Sequence, residues 1–198
     1  MEAAKPLDLV LKGDRDYVTG ADILLALLHE TDAVSDLTLR FHRLTDHGIE
    51  MVELAATDPI GEAEGVFLYK DSTGSPRRVL LRALNQTIEA RVPYPEELAI
   101  ADAVIEGQTV RSRKAEGFSF IERAIALNKL LLTRLCATDK STKWIFTRID
   151  LPERPRMPMP VVSLTASSIA NPRLIRSELR LDDRPYGHIW FSGVKQNG

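Results

Sequence analysis

The sequence has very little cysteine and no excess of charge of one sign. One cysteine among 198 residues excludes an internal disulfide and a cysteine-rich metal site. The 26 basic and 28 acidic side chains nearly cancel. Because binding to nucleic acid by counterion release needs a clustered excess of lysine and arginine, this balance argues against a nucleic-acid partner.

Long apolar runs are also missing. Even the longest, 23–28, is far shorter than the roughly 20 residues that a membrane-spanning helix needs, and so is the run 130–132. Residues 1–12 lack the positive start and long apolar stretch of a secretory signal. We therefore expect a cytoplasmic protein with no membrane partner. Apolar residues make up 44% of the chain, enough to bury a core, so disorder is not expected.

Two segments have the pattern of buried helices. Residues 21–30 are apolar almost all round, which is typical of a helix enclosed by protein. Thr19 is a candidate N-cap for this helix, and Asp22 suits its positive end. Residues 118–135 form the longest helical pattern, with most apolar side chains on one side.

Alternating apolar and polar residues, bounded by turn residues, predict β-strands. The predicted strands cover residues 7–11, 37–44, 49–55, 64–70, 77–84, 99–112, 144–151, 161–170, 173–181 and 186–194. A proline-marked segment at 91–95 has the composition of a linker. The same order of strand, glycine, buried helix and antiparallel strands occurs on both sides of it. The sequence therefore predicts an α+β protein with an internal duplication, its halves being residues 1–92 and 93–198.

The start of the first helix resembles the start of the central helix in the hotdog-fold superfamily of acyl-thioester dehydratases and thioesterases. The stretch is YVTGADILLALL at 17–28, with Thr19 where the dehydratases have proline. The resemblance covers this short stretch and the order of elements along the whole chain. It implies a double hotdog, in which two curved antiparallel sheets each wrap a buried central helix.

The resemblance implies an enzyme that acts on acyl thioesters of coenzyme A or of an acyl carrier protein, without a cofactor. In dehydratase-like hotdogs a carboxylate lies five residues after the helix glycine. This place holds Leu25 after Gly20, and Glu122 after Gly117. Neither half has a histidine before that glycine, where the family has its catalytic histidine. Hydrolysis is therefore favoured over dehydration.

Thioesterases of this fold use a carboxylate to activate water or attack the thioester, while an N–H group at the helix start holds the carbonyl oxygen. The resemblance therefore makes Glu122 and Asp22 the candidate catalytic residues. The candidate substrate-binding residues are of two kinds: glycines, which let the substrate come close to the backbone, and residues that place a polar group beside the acyl chain. They are Tyr17, Thr19, Gly20, Gly117 and Asn128.

Each of these residues also has a purely structural explanation. Glu122 and Asp22 stabilise the positive ends of helices, and Asn128 can hydrogen-bond within a core. The basic run Arg111, Arg113 and Lys114 either meets coenzyme A phosphates or an acidic carrier, or is a solvated strand end. No pair of the four histidines has metal-ligand spacing, so no metal is expected.

Two other functions remain open at this stage. One is a non-catalytic hotdog protein that binds an acyl group or another small ligand, favoured by Leu25 and the missing histidine. The other is a chorismate-lyase-like domain that holds a small acid between its sheet and helices. Hotdog domains usually pair, so a homo-oligomer is possible in addition to a monomer.

Overall fold

The computed structural model describes residues 4–55, 58–59, 61–113, 117–136, 142–155, 161–168 and 174–195. The chain divides into two compact units: Met1–Tyr94 with Ile149–Arg154, and Pro95–Arg148 with Pro155–Gly198. The α-helices of the described part are α1 (Gly20–Glu30) and α2 (Phe120–Leu135), and a 3-10 helix covers Glu96–Ile100. The strands are β1 (Lys5–Pro6), β2 (Leu11–Lys12), β3 (Ser35–Phe41), β4 (His47–Leu54), β5 (Gly65–Lys70), β6 (Pro76–Thr87), β7 (Arg91–Val92), β8 (Val104–Glu106), β9 (Thr109–Ser112), β10 (Thr142–Glu153), β11 (Val162–Ser168), β12 (Leu174–Leu181) and β13 (Arg184–Lys195).

The first unit is built on a mainly antiparallel sheet with the strand order β1-β4-β6-β5-β3, next to the last residues of β10. Strands β2 and β7 form a separate parallel pair. Phe67 and Leu81 are fully buried on one face of the sheet. Gly65 is required where β3 and β5 meet, because a Cβ there would lie 2.5 Å from the carbonyl oxygen of Arg40.

The other face of this first sheet is closed by apolar side chains. Val66 precedes Phe67 in β5, so alternation directs the two side chains to opposite faces. Val66 packs with Ala63 and Leu80 in a small second core. Beside this cluster, Arg78 Nη2 donates to the carbonyl oxygen of Asp58 at 3.2 Å and so links β6 to the residues that follow β4.

The second unit has the strand order β8-β9-β11-β12-β13, next to the first residues of β10. The four ladders from β8 to β13 are antiparallel. Helix α2 packs on β9, on β11 and on the 3-10 helix. Val162, Leu164 and Ala166 of β11 are buried, which is the alternation of a strand with one face on a core.

Most predicted elements are present, and three predictions were wrong. Residues 99–112 are not one strand: they contain the end of the 3-10 helix and the β8–β9 hairpin, which turns at Gly107 with φ +58°. Residues 7–11 are not one strand: residues 7–10 are irregular between the two short strands β1 and β2. Residues 91–92 are strand β7 and not linker. Residues 169, 170 and 173 of the predicted strands lie outside the described residues. Cys136 is the half-buried C-cap of α2.

Candidate functional site

At the start of α1, the Asp22 carboxylate contacts a lysine and the hydroxyl of the N-cap residue. Thr19 is the N-cap, as predicted: its Oγ1 accepts from the Asp22 backbone N–H at 3.3 Å and donates to Asp22 Oδ2 at 2.7 Å. The Lys12 ammonium lies 2.5 Å from Asp22 Oδ1, and the two side chains are only 15% and 14% exposed. Gly20 is the first residue of the helix, and Tyr17 lies half-buried two residues before the cap. The carboxylate of Asp22 is therefore fixed by one cation and one hydroxyl.

An aromatic ring supports the lysine of this pair. The Lys12 ammonium lies 5.2 Å from the ring centre of Tyr94, and the Arg15 guanidinium lies 4.8 Å from the same ring. Both distances are within the range of cation–π attraction. Tyr94 thus helps to hold Lys12 beside Asp22.

The start of α2 is closed by a capping box between Ser119 and Glu122. Ser119 Oγ accepts from the Glu122 backbone N–H at 3.3 Å, while Glu122 Oε2 accepts from the Ser119 N–H at 2.8 Å and from Ser119 Oγ at 2.7 Å. Glu122 is only 8% exposed. Its carboxylate satisfies the N–H of the N-cap residue, while the Ser119 hydroxyl satisfies the helix N–H of Glu122, so Glu122 has a structural role whatever its chemistry. The Ser-x-x-Glu spacing is a sequence signature of this cap.

The two glycines used to align the helices are not equivalent. Gly20 lies inside α1, whereas Gly117 lies two residues before the N-cap Ser119, with φ +84°. The hydroxyl caps, and not the glycines, set where each helix begins. Counted from the caps, Asp22 and Glu122 occupy the same third position of their helices. Counting from the caps therefore aligns Asp22 with Glu122, whereas counting from the glycines aligns Leu25 with Glu122.

A buried arginine beside the start of α2 was missed in the sequence. Arg123 is 4% exposed, and its Nη2 donates to the carbonyl oxygen of Ser112 at 3.3 Å. Ser112 Oγ in turn donates to Asp102 Oδ1 at 2.6 Å. Burial lowers the pKa of the Arg123 guanidinium, and the nearby charges of Asp102 and Asp182 oppose this. The signal available in the sequence was a charged residue on the apolar side of a helix.

Asn128 lies about two turns after the start of α2 and is completely buried. Neither its Oδ1 nor its Nδ2 has a hydrogen-bond partner among the described residues. A buried amide without partners is costly, so such a group is either a strained feature of the core or a recognition group for a bound molecule.

The described residues were also compared with the requirements for a metal site, a membrane-spanning helix and a ligand groove. No group of three or more histidine, cysteine, aspartate or glutamate side chains there is arranged to hold a metal ion. None of the described helices is both long and apolar enough to cross a membrane. The second unit contains a groove of about 830 Å³, lined in part by Arg111 and Arg113 of the basic run, and the first unit contains a smaller one of about 330 Å³. The candidate catalytic and substrate-binding residues are not among the residues that line either groove.

Comparison with solved structures identifies the fold. The chain aligns with a protein from Thermobifida fusca assigned as a thioesterase II at 13% sequence identity, covering 98% of this chain and 92% of that chain, with a TM-score of 0.50. It aligns with the dehydratase domain of PpsC from Mycobacterium tuberculosis, solved in complex with C12:1-CoA, at 12% identity, covering 96% and 92%, with a TM-score of 0.50. No protein-family model and no curated protein matches the sequence.

These likenesses establish the class of the protein. The chain has a hotdog fold, with the large antiparallel sheet and the two described α-helices that this fold requires. The predicted resemblance to hotdog proteins is thus confirmed, and the chorismate-lyase-like fold is set aside.

Proposed function

We propose that this protein hydrolyses acyl thioesters of coenzyme A or of an acyl carrier protein. The observation that supports this most is a nearly buried carboxylate, Glu122, at the start of helix α2, which packs on β9 and β11. The fold that carries this carboxylate is shared with a protein described as a thioesterase II and with a dehydratase domain solved with C12:1-CoA.

The proposed reaction uses the helix start as a polarising site. The capping box engages the N–H groups of Ser119 and Glu122, which leaves those of Phe120 and Ile121 outside it. In our proposal these two donors hold the thioester oxygen, because helix N–H groups and the helix dipole favour a developing negative charge. Glu122 takes a proton from water, whose oxygen attacks the carbonyl carbon. The carbon–sulfur bond then breaks, the proton passes to the leaving thiolate, and the products are a carboxylic acid and a thiol.

The other predicted residues have supporting places in this proposal. Apart from its chain neighbours, no described residue places an atom within 4 Å of where a Cβ of Gly117 would be, and in our proposal the substrate approaches the backbone there. The buried amide of Asn128 supplies one donor and one acceptor for a polar group of the substrate. Gly20 and Tyr17 serve the corresponding place at α1. The Thr19 hydroxyl is already engaged by Asp22, which makes Thr19 a positioning residue for that carboxylate.

We also propose that the two units are the halves of a double hotdog, divided near residue 92, that arose by duplication. Each of the two helices begins with a hydroxyl cap and has an acidic residue three positions later, Thr19 with Asp22 and Ser119 with Glu122. In this proposal Asp22 marks a second helix start of the same kind, and its tight pairing with Lys12 makes it the less reactive carboxylate. Two such halves would complete in one chain the pair that single hotdogs form as dimers.

The test is release of free thiol from short, medium, long and aromatic acyl-CoAs by the wild type and by Glu122→Gln. Glutamine preserves the capping box, because its amide oxygen also accepts from the cap. We therefore expect Glu122→Gln to fold normally and to lose activity by about 100-fold or more, the usual range for a general base.

Two further variants act as controls. Ser119→Ala removes the cap hydroxyl but keeps the carboxylate, so it reports the effect of loosening the helix start alone. Asp22→Asn tests the carboxylate of α1 in the same way. Full activity in Glu122→Gln would show that Glu122 is only a helix cap and would refute the proposed mechanism.

A second candidate function is binding of an acyl group without turnover. It is favoured by the engagement of both carboxylates: Ser119 holds Glu122, and Lys12 holds Asp22. Saturable binding of an acyl-CoA by calorimetry, without thiol release from any substrate, would select this function over hydrolysis.

A further inference from the structure

The outer face of the second unit carries a polar groove to which the proposed hydrolysis assigns no role. Alternation in β11 directs Val162 and Leu164 into the core, and therefore directs Ser163 and Thr165 to the face opposite. That face forms a groove of about 830 Å³, within the size range of small-molecule sites.

Two arginines flank one serine on the floor of this groove. In the antiparallel register Ser163 lies opposite Arg111 of β9 on one side and opposite Arg180 of β12 on the other. Neighbouring strands are about 4.8 Å apart, so the three side chains leave the sheet side by side. Ser163 is only 5% exposed, although it is a polar residue on the outer face.

The guanidinium groups are held in place but not saturated. Arg111 Nη2 lies 2.6 Å from Asp183 Oδ2, while its Nε is buried with no hydrogen-bond partner among the described residues. Arg180 Nη1 lies 2.8 Å from Glu178 Oε1, and its Nη2 donates to the Asp183 carbonyl oxygen at 2.5 Å. A guanidinium has five N–H donors, so each arginine retains donors for an additional acceptor. Planar donors fixed in this way match the oxygens of a carboxylate or phosphate.

Hydroxyl groups lie in the next row of the same face. Thr109 and Thr165 are opposite each other, and their Oγ1 atoms are 2.9 Å apart. One proton makes the bond between them, so the pair keeps a second proton and free lone pairs for a ligand. Glu106 faces Thr109 across the β8–β9 ladder and adds a carboxylate that accepts hydrogen bonds.

The charges of the groove restrict the ligand to a small one. Glu178 and Asp183 offset Arg180 and Arg111, Asp102 lies with Arg113 in the same lining, and Glu106 adds a further negative charge at one end. An extended polyanion would meet repulsion from these carboxylates, whereas one oxyanion could bind between the two arginines.

We propose that this groove binds a small hydroxylated oxyanion, such as a hydroxy acid or a sugar phosphate. The carboxylate or phosphate lies over Ser163 between Arg111 and Arg180, and the hydroxyl groups reach the Thr109–Thr165 pair. The proposed site is built on residues of β9, β11 and β12, whereas the proposed hydrolysis uses the start of α2, so the two proposals rest on different residues and are tested by different variants.

The test is titration calorimetry of the whole protein with glucose 6-phosphate, gluconate, inorganic phosphate and glucose. We expect saturable binding of glucose 6-phosphate or gluconate, and at least tenfold weaker binding of glucose. Comparing the first two probes decides whether the anion is a phosphate or a carboxylate. Inorganic phosphate tests the oxyanion part of the site alone.

Variants locate the site. Arg111→Gln should weaken binding at least tenfold, and Arg111→Lys, which keeps the charge but not the planar fork, should weaken it less. The control is Arg82→Gln, because Arg82 is also a half-exposed strand arginine in an ion pair, 2.9 Å from Glu50. Thr165→Val should reduce the binding of glucose 6-phosphate to the level of inorganic phosphate and leave inorganic phosphate unchanged.

Three results would overturn the proposal. The first is that none of the four probes binds at concentrations up to the order of 10 mM. The second is equal affinity for glucose and glucose 6-phosphate. The third is unchanged affinity in both Arg111 variants. Thermal unfolding of each variant accompanies the titrations, so a loss of binding is counted only for folded protein.

Discussion

Replacing Asn128 by leucine should stabilise this protein, which is the reverse of most changes in a core. The side chain is 0% exposed, and neither Oδ1 nor Nδ2 has a hydrogen-bond partner among the described residues. Leucine has the same number of side-chain heavy atoms and the same branching, so it can occupy nearly the same space. The change removes the desolvation cost of two polar groups and leaves an apolar group among Ala124, Leu127 and Leu131 of the same helix.

The magnitude follows from the two buried groups. An unsatisfied buried donor or acceptor costs about 1–3 kcal/mol, and inserting larger methyl groups into a packed core costs about 1–3 kcal/mol. The net free energy of unfolding should therefore rise by about 2 kcal/mol. For a domain of about 200 residues this corresponds to an increase in the melting temperature of about 4–8 °C.

The assay is urea unfolding followed by far-UV circular dichroism, with thermal unfolding as a second measurement. Thr133→Leu is the control, because Thr133 is exposed on the same helix and reports the gain in helix propensity alone, about 0.4 kcal/mol. A loss of stability in Asn128→Leu would refute the reasoning, since it would mean that the amide has a partner in solution. If the variant is more stable but releases no thiol, Asn128 acts in substrate binding at the expense of stability.

The remaining predictions concern caps, an ion pair and a buried tyrosine. Ser119→Ala should lower the free energy of unfolding by about 1 kcal/mol while Glu122→Gln lowers it by much less, and urea unfolding checks both. Lys12→Met should cost about 1–2 kcal/mol because it leaves the Asp22 charge unpaired in a site only 14% exposed, and adding Asp22→Asn should restore part of the loss. Burial, reinforced by Glu53, raises the pKa of Tyr69. The neutral phenol therefore stabilises the fold below about pH 10 and loses this contribution as the pH rises further, so Tyr69→Phe should flatten the decline in stability measured above pH 10.

Much of the local structure could be predicted from the sequence. The Thr19 cap, the buried helix that follows it and the turn at 71–75 all depend on residues within four positions of one another. The carboxylates Asp22 and Glu122 could also be placed at helix starts. Their shared position three residues after a cap could not be read from the glycines, because a helix begins where a hydroxyl satisfies its free N–H groups.

The error at residues 99–112 shows the limit of such patterns. Apolar residues in this stretch suggested one long strand, whereas Ala99 is buried in a 3-10 helix and Gly107 turns the chain back on itself. The 3-10 helix contacts α2, which lies more than twenty residues later in the chain. Packing against that helix decides the local structure here, and no pattern within the segment records it.

The sequence by itself determined where the helices start, which strands alternate and that hotdog proteins are the class to expect. Only the tertiary structure decided which distant side chains meet: Lys12 with Asp22, and Ser163 between Arg111 and Arg180. The physical reason is the range of the interactions. Caps and turns are settled within a few residues, but a strand's register depends on the packing of the whole sheet, and a shift of one residue would turn Ser163 from the outer groove into the core.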